Sequence, residues 1–246
     1  MRARLDAEMA RRGLAESRQT AQRLIMAGRV RVNSRPAKKA DLRVDSDAEI
    51  ELVGAPSEFA SRGAYKLLAA LDHFDIDVTG TRALDVGAST GGFTDVLLRR
   101  GAASVIALDV GYGQLADKLR RDLRVTVIDR TNIRKVAPED VPYRPKLVVI
   151  DTSFISLRLV LPAVLKLIDE PARIVALIKP QFEVGKGKVG RGGVVRDATL
   201  RAEAVEGIVE FARGLGLEVI GTLESPIAGA TGNVEHLVYL QTGRTK

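Results

Sequence analysis

The chain of 246 residues contains no cysteine and only two histidines, which excludes disulfides, thiolate metal ligands and a cysteine nucleophile and argues against a structural zinc site. Its first residues are charged throughout and lack the apolar core of a signal peptide, and no apolar run reaches the roughly 18 residues of a membrane-spanning helix. We therefore expect a soluble, cytoplasmic protein with no metal and no membrane partner.

Positive charge is concentrated at the start of the chain. Residues 1–43 contain 12 Lys/Arg and 4 Asp/Glu, a net charge of +8, whereas the remainder has a net charge of −1 and the whole chain +7. Such a compact excess is typical of a segment that binds nucleic acid or an anionic membrane. A solvated helix face is the alternative, because it can be equally basic without binding anything.

The N-terminal segment predicts two short helices followed by a small sheet. Leu5 and Met9 are spaced for one helix face, and Gly13 follows as a C-cap. Ser17 is a candidate N-cap for a second helix that ends before Gly28. The stretches RVRVNSRPA and AEIELV then alternate in polarity around an Asn-Ser turn, which predicts a hairpin or small sheet.

The order of these residues, RLDAEM followed by SR and AQRLIMAGRVRVNSRPAKK, resembles the S4 RNA-binding module of ribosomal proteins and RNA-modifying enzymes. In that family, the basic helix face and the loop before the strand bind folded RNA. A basic helical hairpin of unrelated origin is the alternative. The resemblance implies these RNA-binding residues: Arg18, Arg23, Arg29, Arg31 and Lys38.

From residue 81 the chain alternates short apolar runs with helix-length segments. The runs RALDV, SVIALDV, RVTVID, KLVVID and RIVALI are each short enough for a buried parallel strand. This alternation predicts a doubly wound α/β sheet. Since such sheets bind ligands at the carboxyl ends of their strands, the charged residues that end these runs are candidate functional residues. They are Asp85, Asp109, Asp129, Asp151 and Lys179.

The first apolar run leads into the loop LDVGASTGGFTDV, whose small residues allow a close approach to a ligand, with a helix expected to begin near Thr90. A dinucleotide site would have a glycine at Ser89, so the loop favours S-adenosylmethionine over NAD. Asp109 is placed to accept hydrogen bonds from ribose hydroxyls and Asp129 from the adenine amino group. Strand-end or cap roles are the alternative for each aspartate. The predicted cofactor-binding residues are Asp85, Gly87, Ala88, Ser89, Thr90, Gly91, Gly92, Asp109 and Asp129.

Three further stretches, SRGAYKL at 61–67, DTSFISL at 151–157 and IKPQFEVGKGKVGRGGVVRD at 178–197, resemble the TlyA-type family of ribosomal RNA 2′-O-methyltransferases. Members of this family have also been labelled hemolysins, and their catalytic domain is similar to the FtsJ/RrmJ methyltransferases. The resemblance covers nearly the whole chain, including TGNVEHL near its end. It implies a Rossmann-like α/β fold with a seven-stranded sheet, preceded by a small α+β S4 domain. It also implies S-adenosylmethionine as cofactor and cytidine riboses of ribosomal RNA, in both subunits, as substrate.

In this family a Lys-Asp-Lys-Glu tetrad carries catalysis, and the resemblance places it at Lys66, Asp151, Lys179 and Glu235. Lys179 would contact the attacking hydroxyl and Asp151 would orient it, while the other two fix geometry and tune charge. Glu224 is an acidic alternative to Glu235 but lacks the Asn-Val-Glu context. Unrelated ion pairs at strand ends are the structural alternative. Ala64, where many relatives have glycine, bears on linker flexibility only.

The glycine-rich stretch VGKGKVGRGGVV predicts a mobile basic loop beside the active site. Its candidate RNA contacts are Lys186, Lys188 and Arg191, and simple disorder is the alternative. The predicted domains are 1–54 for the S4-like module, 55–61 for a linker and 62–246 for the methyltransferase.

Two other classes of function compete with an enzyme. A membrane-lysing protein would need a spanning helix, an amphipathic apolar segment or a barrel pattern, and the sequence has none of these. A non-catalytic RNA-binding regulator would not need a cofactor loop and charged strand ends, and cofactor binding in calorimetry would separate it from an enzyme. Ribosomal RNA or ribosomal subunits are the predicted partners, and the sequence leaves the oligomeric state open.

Overall fold

The computed structural model describes residues 2–15, 17–26, 28–53, 58–185, 187–190 and 192–243. The chain divides into two compact units, Met1–Arg62 and Gly63–Lys246. Part of the predicted linker, residues 54–57, lies outside the described residues. The boundaries of 1–54, 55–61 and 62–246 therefore stay predictions.

The first unit contains the two helices and the small sheets that the sequence predicts. Ser17 caps the second helix, its Oγ accepting a hydrogen bond from the Thr20 N–H at 3.1 Å. Asn33 and Ser34 both have positive φ, which lets the chain turn sharply between two strands. A separate apolar core lies between the helices and the strands. The elements are β1 (Ala3–Arg4), α1 (Leu5–Arg11), α2 (Arg18–Met26), β2 (Val30–Val32), β3 (Arg35–Pro36), β4 (Arg43–Val44) and β5 (Ile50–Leu52).

The second unit alternates strands and helices as predicted. Each of the five apolar runs forms a strand, and two short 3-10 turns, Ile133–Lys135 and Pro138–Asp140, precede β9. The elements are α3 (Ala64–His73), β6 (Arg82–Val86), α4 (Gly92–Arg99), β7 (Ser104–Leu108), α5 (Asp117–Arg120), β8 (Val125–Ile128), β9 (Leu147–Ile150), α6 (Leu157–Leu165), β10 (Arg173–Ile178), α7 (Pro180–Glu183), α8 (Ala198–Gly214), β11 (Leu217–Glu224) and β12 (His236–Thr242).

The described residues of this unit form one seven-stranded sheet in the order β11-β12-β10-β9-β6-β7-β8. The five strands from β10 to β8 are parallel, and β12 is antiparallel to both of its neighbours. Alternate residues such as Leu84 and Val86 pack with α6 and α8 in the main core. Because side chains alternate across a strand, Asp85 points to the opposite face, where α4 packs. The Rossmann-like fold class is thereby confirmed.

One predicted boundary is wrong. The helix expected near Thr90 begins at Gly92, because Gly91 adopts a left-handed conformation with φ of 95° and its N–H bonds to the Ala88 carbonyl at 2.7 Å. This leaves residues 87–91 as a loop after β6. No helix within the described ranges is long and apolar enough to cross a membrane.

Candidate active site

The sheet register brings three members of the predicted tetrad to one edge. Ile178 of β10 pairs with His236 of β12 in an antiparallel ladder, so the next pair outward is Lys179 opposite Glu235. On the other side β10 runs parallel to β9, which ends one residue before Asp151. The carboxyl ends of β9 and β10 therefore deliver Asp151 and Lys179, and the amino end of the antiparallel β12 delivers Glu235 beside them.

Lys179 and Asp151 form a short ion pair. The ammonium Nζ lies 2.6 Å from Asp151 Oδ1 and donates a hydrogen bond to Ser153 Oγ at 2.9 Å. Lys179 is 8% exposed, so a lysine at the end of a buried strand is held by a carboxylate and a hydroxyl. Pro180 follows and starts α7, which fixes the backbone just beyond the ammonium-bearing residue.

Lys66 and Glu235 form a second, more deeply buried pair. Lys66 lies on α3, and its Nζ donates to Glu235 Oε2 at 2.6 Å, with both residues buried. The peptide carbonyl of Glu235 accepts a hydrogen bond from the Ser225 N–H at 2.9 Å, which anchors the chain before β12. Gly229 packs so closely on the Glu235 carboxylate that a Cβ there would clash with it. The carboxylate is thus held by its partner and by the packing around it.

The loop after β6 is built for close approach. Gly87 has φ of 87°, and a Cβ there would lie 2.5 Å from the Asp151 carbonyl oxygen, so only glycine fits between this loop and the Asp151 backbone. The loop is tied to the next strand end, since Ser89 N–H donates to Asp109 Oδ2 at 2.8 Å. Asp109 Oδ1 accepts from Gly111 N–H at 2.6 Å. Of the remaining predicted residues, Ala88, Thr90 and Gly91 belong to the same loop, and Gly92 is the first residue of α4.

These residues fit a nucleoside-bearing cofactor. Among the described residues, each oxygen of Asp109 accepts one hydrogen bond, and a carboxylate oxygen has capacity for a second. Ribose hydroxyls can therefore be accepted without breaking the loop contact. Asp129, at the end of the next strand, already accepts from Gly113 N–H at 3.1 Å and from Arg120 at 2.8 Å. The small residues of the loop provide the close approach that such a ligand needs. The cofactor roles of these side chains stay predictions.

Asp85 lies between β6 and α4. It is fully buried, and its Oδ2 accepts a hydrogen bond from the Thr94 hydroxyl at 2.7 Å, while Oδ1 is buried without a hydrogen-bond partner among the described residues. Burial, with a smaller contribution from the Asp151 charge, raises the pKa of the Asp85 carboxyl from 3.8 to about 7. A direct contact to cofactor stays a prediction, and the geometry shows a buried acid that joins β6 to the first turn of α4.

Asp85→Asn is expected to flatten the pH dependence of stability. The unfolded carboxyl ionises near pH 3.8 and the folded one near 7, so between these values the free energy of unfolding of the wild type falls as pH rises, and the loss is complete above 7. The amide of Asp85→Asn does not ionise, so the variant does not show this fall in the free energy of unfolding, which is at most on the order of 4 kcal/mol. Urea unfolding at about pH 5 and about pH 8 measures it, with Asp122→Asn as surface control. Parallel pH profiles for wild type and Asp85→Asn would contradict the interpretation.

Two positioning contacts were not predicted from sequence. Glu183 of α7 accepts hydrogen bonds from the Ser156 hydroxyl at 2.6 Å and the Leu157 N–H at 2.9 Å, so it ties the start of α6 to the segment after Lys179. Beside this contact, the Phe154 ring lies 5.3 Å from that of Phe182. Phe154 itself is 92% exposed and has φ of 64°. The motifs DTSFISL and IKPQFE therefore contact each other through hydrogen bonds and aromatic rings. The acidic and hydroxyl residues in these motifs were the only sequence feature that could have indicated the contact.

Asn233 makes the second such contact. It is fully buried, its Oδ1 accepts from Val195 N–H at 2.9 Å, and its Nδ2 donates to the Gly193 carbonyl at 2.8 Å. Asn233 thus holds the end of the glycine-rich stretch against the segment that carries Glu235. The only sequence feature that pointed to a role for Asn233 was its place in the motif TGNVEHL.

The structure describes most of the predicted RNA-binding residues. Arg31 and Lys38 are exposed in the first unit, Arg29 is half-buried, and Arg18 is 58% exposed at its side chain and lies 3.6 Å from Asp6. In the second unit, Lys188 is exposed and lies 3.5 Å from Glu203. Arg23 belongs to α2, although its side chain lies outside the described residues, and Lys186 and Arg191 lie outside them entirely. Their contacts with RNA stay predictions.

The family of the chain follows from comparison with known proteins. Residues 59–242, three quarters of the chain, match the FtsJ-like methyltransferase family, and residues 3–50 match the S4 domain. The chain belongs to the FtsJ-like methyltransferase family. It is 54% identical over 242 residues to the 16S/23S rRNA (cytidine-2′-O)-methyltransferase TlyA of Mycobacterium tuberculosis, covering 98% of this chain and 90% of that one.

Two more proteins are similar to the chain along nearly its whole length. Hemolysin A of Brachyspira hyodysenteriae is 41% identical over 238 residues, with 96% of this chain and 98% of that one covered. The solved structure of a candidate hemolysin from Streptococcus thermophilus superposes with a TM-score of 0.77 at 40% identity, covering 99% of this chain and 89% of that one. The predicted two-part organisation of S4 domain and FtsJ-like methyltransferase is confirmed.

Proposed function

We propose that this FtsJ-like methyltransferase methylates ribose 2′-hydroxyls of cytidines in ribosomal RNA. The observation that carries the proposal is the Lys179–Asp151 ion pair, which lies at the end of the sheet directly behind the glycine loop. The name of the Mycobacterium tuberculosis relative, at 54% identity, gives the substrate class, the modified atom and the two ribosomal subunits. S-adenosylmethionine supplies the methyl group when bound.

Lys179 is proposed to contact the attacking hydroxyl. A ribose hydroxyl is a weak nucleophile, so it must be aligned with the methyl group and must give up or share its proton during transfer. Asp151 Oδ1 lies 2.6 Å from Lys179 Nζ, and Ser153 Oγ at 2.9 Å restricts it further. Transfer of one ammonium proton to Asp151 would leave Nζ with a lone pair, which would accept the hydroxyl proton as the methyl group is transferred. Alignment of this kind can supply about 7 to 11 kcal/mol of the lowering of the barrier.

Lys66 and Glu235 are proposed to fix the geometry around the hydroxyl. Glu235 stands opposite Lys179 in the extended register of β10 and β12, and Lys66 neutralises it from α3. A buried carboxylate left without a partner would be costly, so Lys66 lets the Glu235 carboxylate stay in place opposite Lys179 without destabilising the fold. The exposed ring of Phe154 offers a stacking surface for an unstacked base beside this group.

The first unit is proposed to recruit the RNA. Its match to the S4 domain and the net charge of +8 in residues 1–43 both support binding to a polyanion. The proposed partners are ribosomal RNA or ribosomal subunits, and the proposed compartment is accordingly the cytoplasm.

The test of this function is methyl transfer to ribosomal RNA. The purified protein is incubated with labelled S-adenosylmethionine and unmodified ribosomal subunits, and the labelled positions are mapped by resistance to alkaline cleavage. We expect label on cytidine 2′-oxygens, and deoxyribose analogues at those positions should abolish it. Label on a base, or none in either subunit, would refute the proposal.

Asp109→Asn is expected to weaken S-adenosylmethionine binding. The substitution removes charge-assisted hydrogen bonds to the ribose, each worth about 1.5 to 3 kcal/mol, so the dissociation constant should rise about tenfold to a hundredfold. Titration calorimetry measures the change, and Asp122→Asn, which alters a surface turn, should leave the affinity unchanged. Equal affinity in wild type and Asp109→Asn would show that Asp109 only supports the loop through Ser89 and Gly111.

A further inference from the structure

A basic cavity opens at the amino ends of the parallel strands, the end of the sheet opposite the proposed active site. Its volume is about 590 Å³, and it lies where β6, β9 and β10 begin. Four cationic side chains line it, Arg82, Arg144, Lys146 and Arg173, and Asp169 is the acidic residue in the lining. None of these residues belongs to the tetrad or to the predicted cofactor loop.

Two of the arginines, the half-buried Arg173 and the exposed Arg144, donate hydrogen bonds to neutral acceptors. Arg173 donates to the Asp77 carbonyl at 2.7 Å and to the Thr81 hydroxyl at 3.3 Å. Arg144 donates to the carbonyls of Lys166 and Ile168 at 3.4 and 3.3 Å. A guanidinium fixed by carbonyl groups is oriented without being neutralised, which suits it to bind an anion.

Acidic groups offset only part of this charge. The Asp169 carboxylate lies 4.0 Å from Lys146 Nζ, and both side chains are more than half exposed, so this pair is weak. The nearby Asp77 carboxylate accepts the Thr79 N–H at 2.9 Å. The lining thus has four cations and one carboxylate, with the Asp77 carboxylate close to Arg173 outside it, and the mutual repulsion of the cations would be relieved by an anionic ligand.

The chemistry of the lining favours phosphate over a nucleobase. The Tyr143 ring is covered by the Arg82 guanidinium at 5.6 Å, and its hydroxyl donates to the Ala83 carbonyl at 3.2 Å. The ring is therefore engaged on that face and at its polar end, whereas the cations offer several donors to phosphate oxygens. Base recognition normally uses an open aromatic face, whereas backbone recognition uses clustered Arg and Lys.

We propose that this cavity binds the phosphodiester backbone of the ribosomal RNA, at a segment away from the target nucleotide. The proposal rests on the proposed function, because it takes RNA as the substrate. The cavity and Lys179 lie at opposite ends of β10, a strand of six residues, so the two sites are separated by roughly 20 Å. A folded RNA can span this distance, and the cavity would then strengthen binding without touching the reaction.

The test reverses charge at Arg82 and Lys146 together, since Arg144 and Arg173 also support backbone carbonyls. We expect Arg82→Glu with Lys146→Glu to weaken binding of a ribosomal RNA transcript about tenfold and to reduce the salt slope by about 1 to 2. S-adenosylmethionine affinity, measured by calorimetry, should be unchanged, which also shows that the variant is folded. A neutral pair, Arg82→Gln with Lys146→Gln, should lose affinity less severely.

The matched control carries the same change in net charge elsewhere in the unit, as Arg134→Glu with Arg213→Glu, both on exposed positions outside the cavity. Equal losses in the cavity and control variants, or no loss in either, would overturn the proposal. If ATP displaced the RNA transcript from the protein and bound as tightly as the transcript does, the cavity would be a nucleotide pocket and the proposal would be overturned. Wild-type methylation of the same RNA is measured in parallel, so failure of the cavity and failure of the proposed function are distinguishable.

Discussion

Lys179→Ala is expected to abolish methyl transfer while leaving S-adenosylmethionine binding within about twofold of wild type. Loss of a positioned proton-handling group lowers a rate by about 10² to 10⁴, and Lys179 is proposed to touch the hydroxyl rather than the cofactor. The measurement pairs single-turnover methylation of ribosomal RNA with calorimetric titration of the cofactor. A large fall in rate without a change in RNA affinity marks a group that acts in the transition state.

The control for this prediction must separate chemistry from folding. Removing Lys179 leaves the Asp151 carboxylate without its partner at 2.6 Å, which can cost stability. Lys179→Met keeps most of the side-chain volume and should show the same loss of rate, while Lys166→Ala, at an exposed lysine after α6, should show none. More than about a tenth of wild-type activity in Lys179→Met would refute the proposed role.

The sheet and the charged residues at the ends of its strands could be predicted because both follow from short local sequence patterns. Runs such as KLVVID and RIVALI are apolar throughout, as strands covered on both faces must be, and each is followed by a charged residue. Parallel strands present these ends at one edge, so Asp151 and Lys179 were expected close together, and the structure has them 2.6 Å apart. The family resemblance added Lys66 and Glu235, which the sequence places far apart and the fold pairs.

The positioning contacts could not be predicted because they depend on how distant loops pack. Glu183 reaches Ser156 across 27 residues, and Asn233 reaches Val195 across 38. Neither pairing has a periodic or compositional signature. The hydrogen bond from the Thr94 hydroxyl to Asp85 has the same origin, since it depends on how α4 packs on β6, and the cofactor contact of Asp85 stays a prediction. The helix start was misplaced because a glycine permits a left-handed turn without requiring it.

A chain that begins at residue 58 is expected to fold and to bind S-adenosylmethionine but to lose ribosomal RNA affinity by about 10² to 10³. Each unit has its own apolar core, so removal of the first should not expose the core of the second. Residues 1–43 carry a net charge of +8, and the remainder of the chain −1. Contacts to phosphate release counterions, with about 0.7 to 0.9 units of salt slope per neutralised phosphate. The truncated chain should therefore show both weaker binding and a much shallower salt dependence.

Point variants test which residues of the first unit contribute to RNA binding. Arg18→Glu with Arg31→Glu reverses two exposed charges of the first unit and should weaken RNA binding about tenfold, with cofactor affinity unchanged. Arg134→Glu with Arg213→Glu makes the same change in net charge in the second unit and should have a smaller effect. If the full chain and the truncated chain bound ribosomal RNA with equal affinity and equal salt slopes, the first unit would not be the recruiting module. The RNA would then be held by the methyltransferase unit alone, and the charge reversal in its basic cavity would become the larger of the two effects.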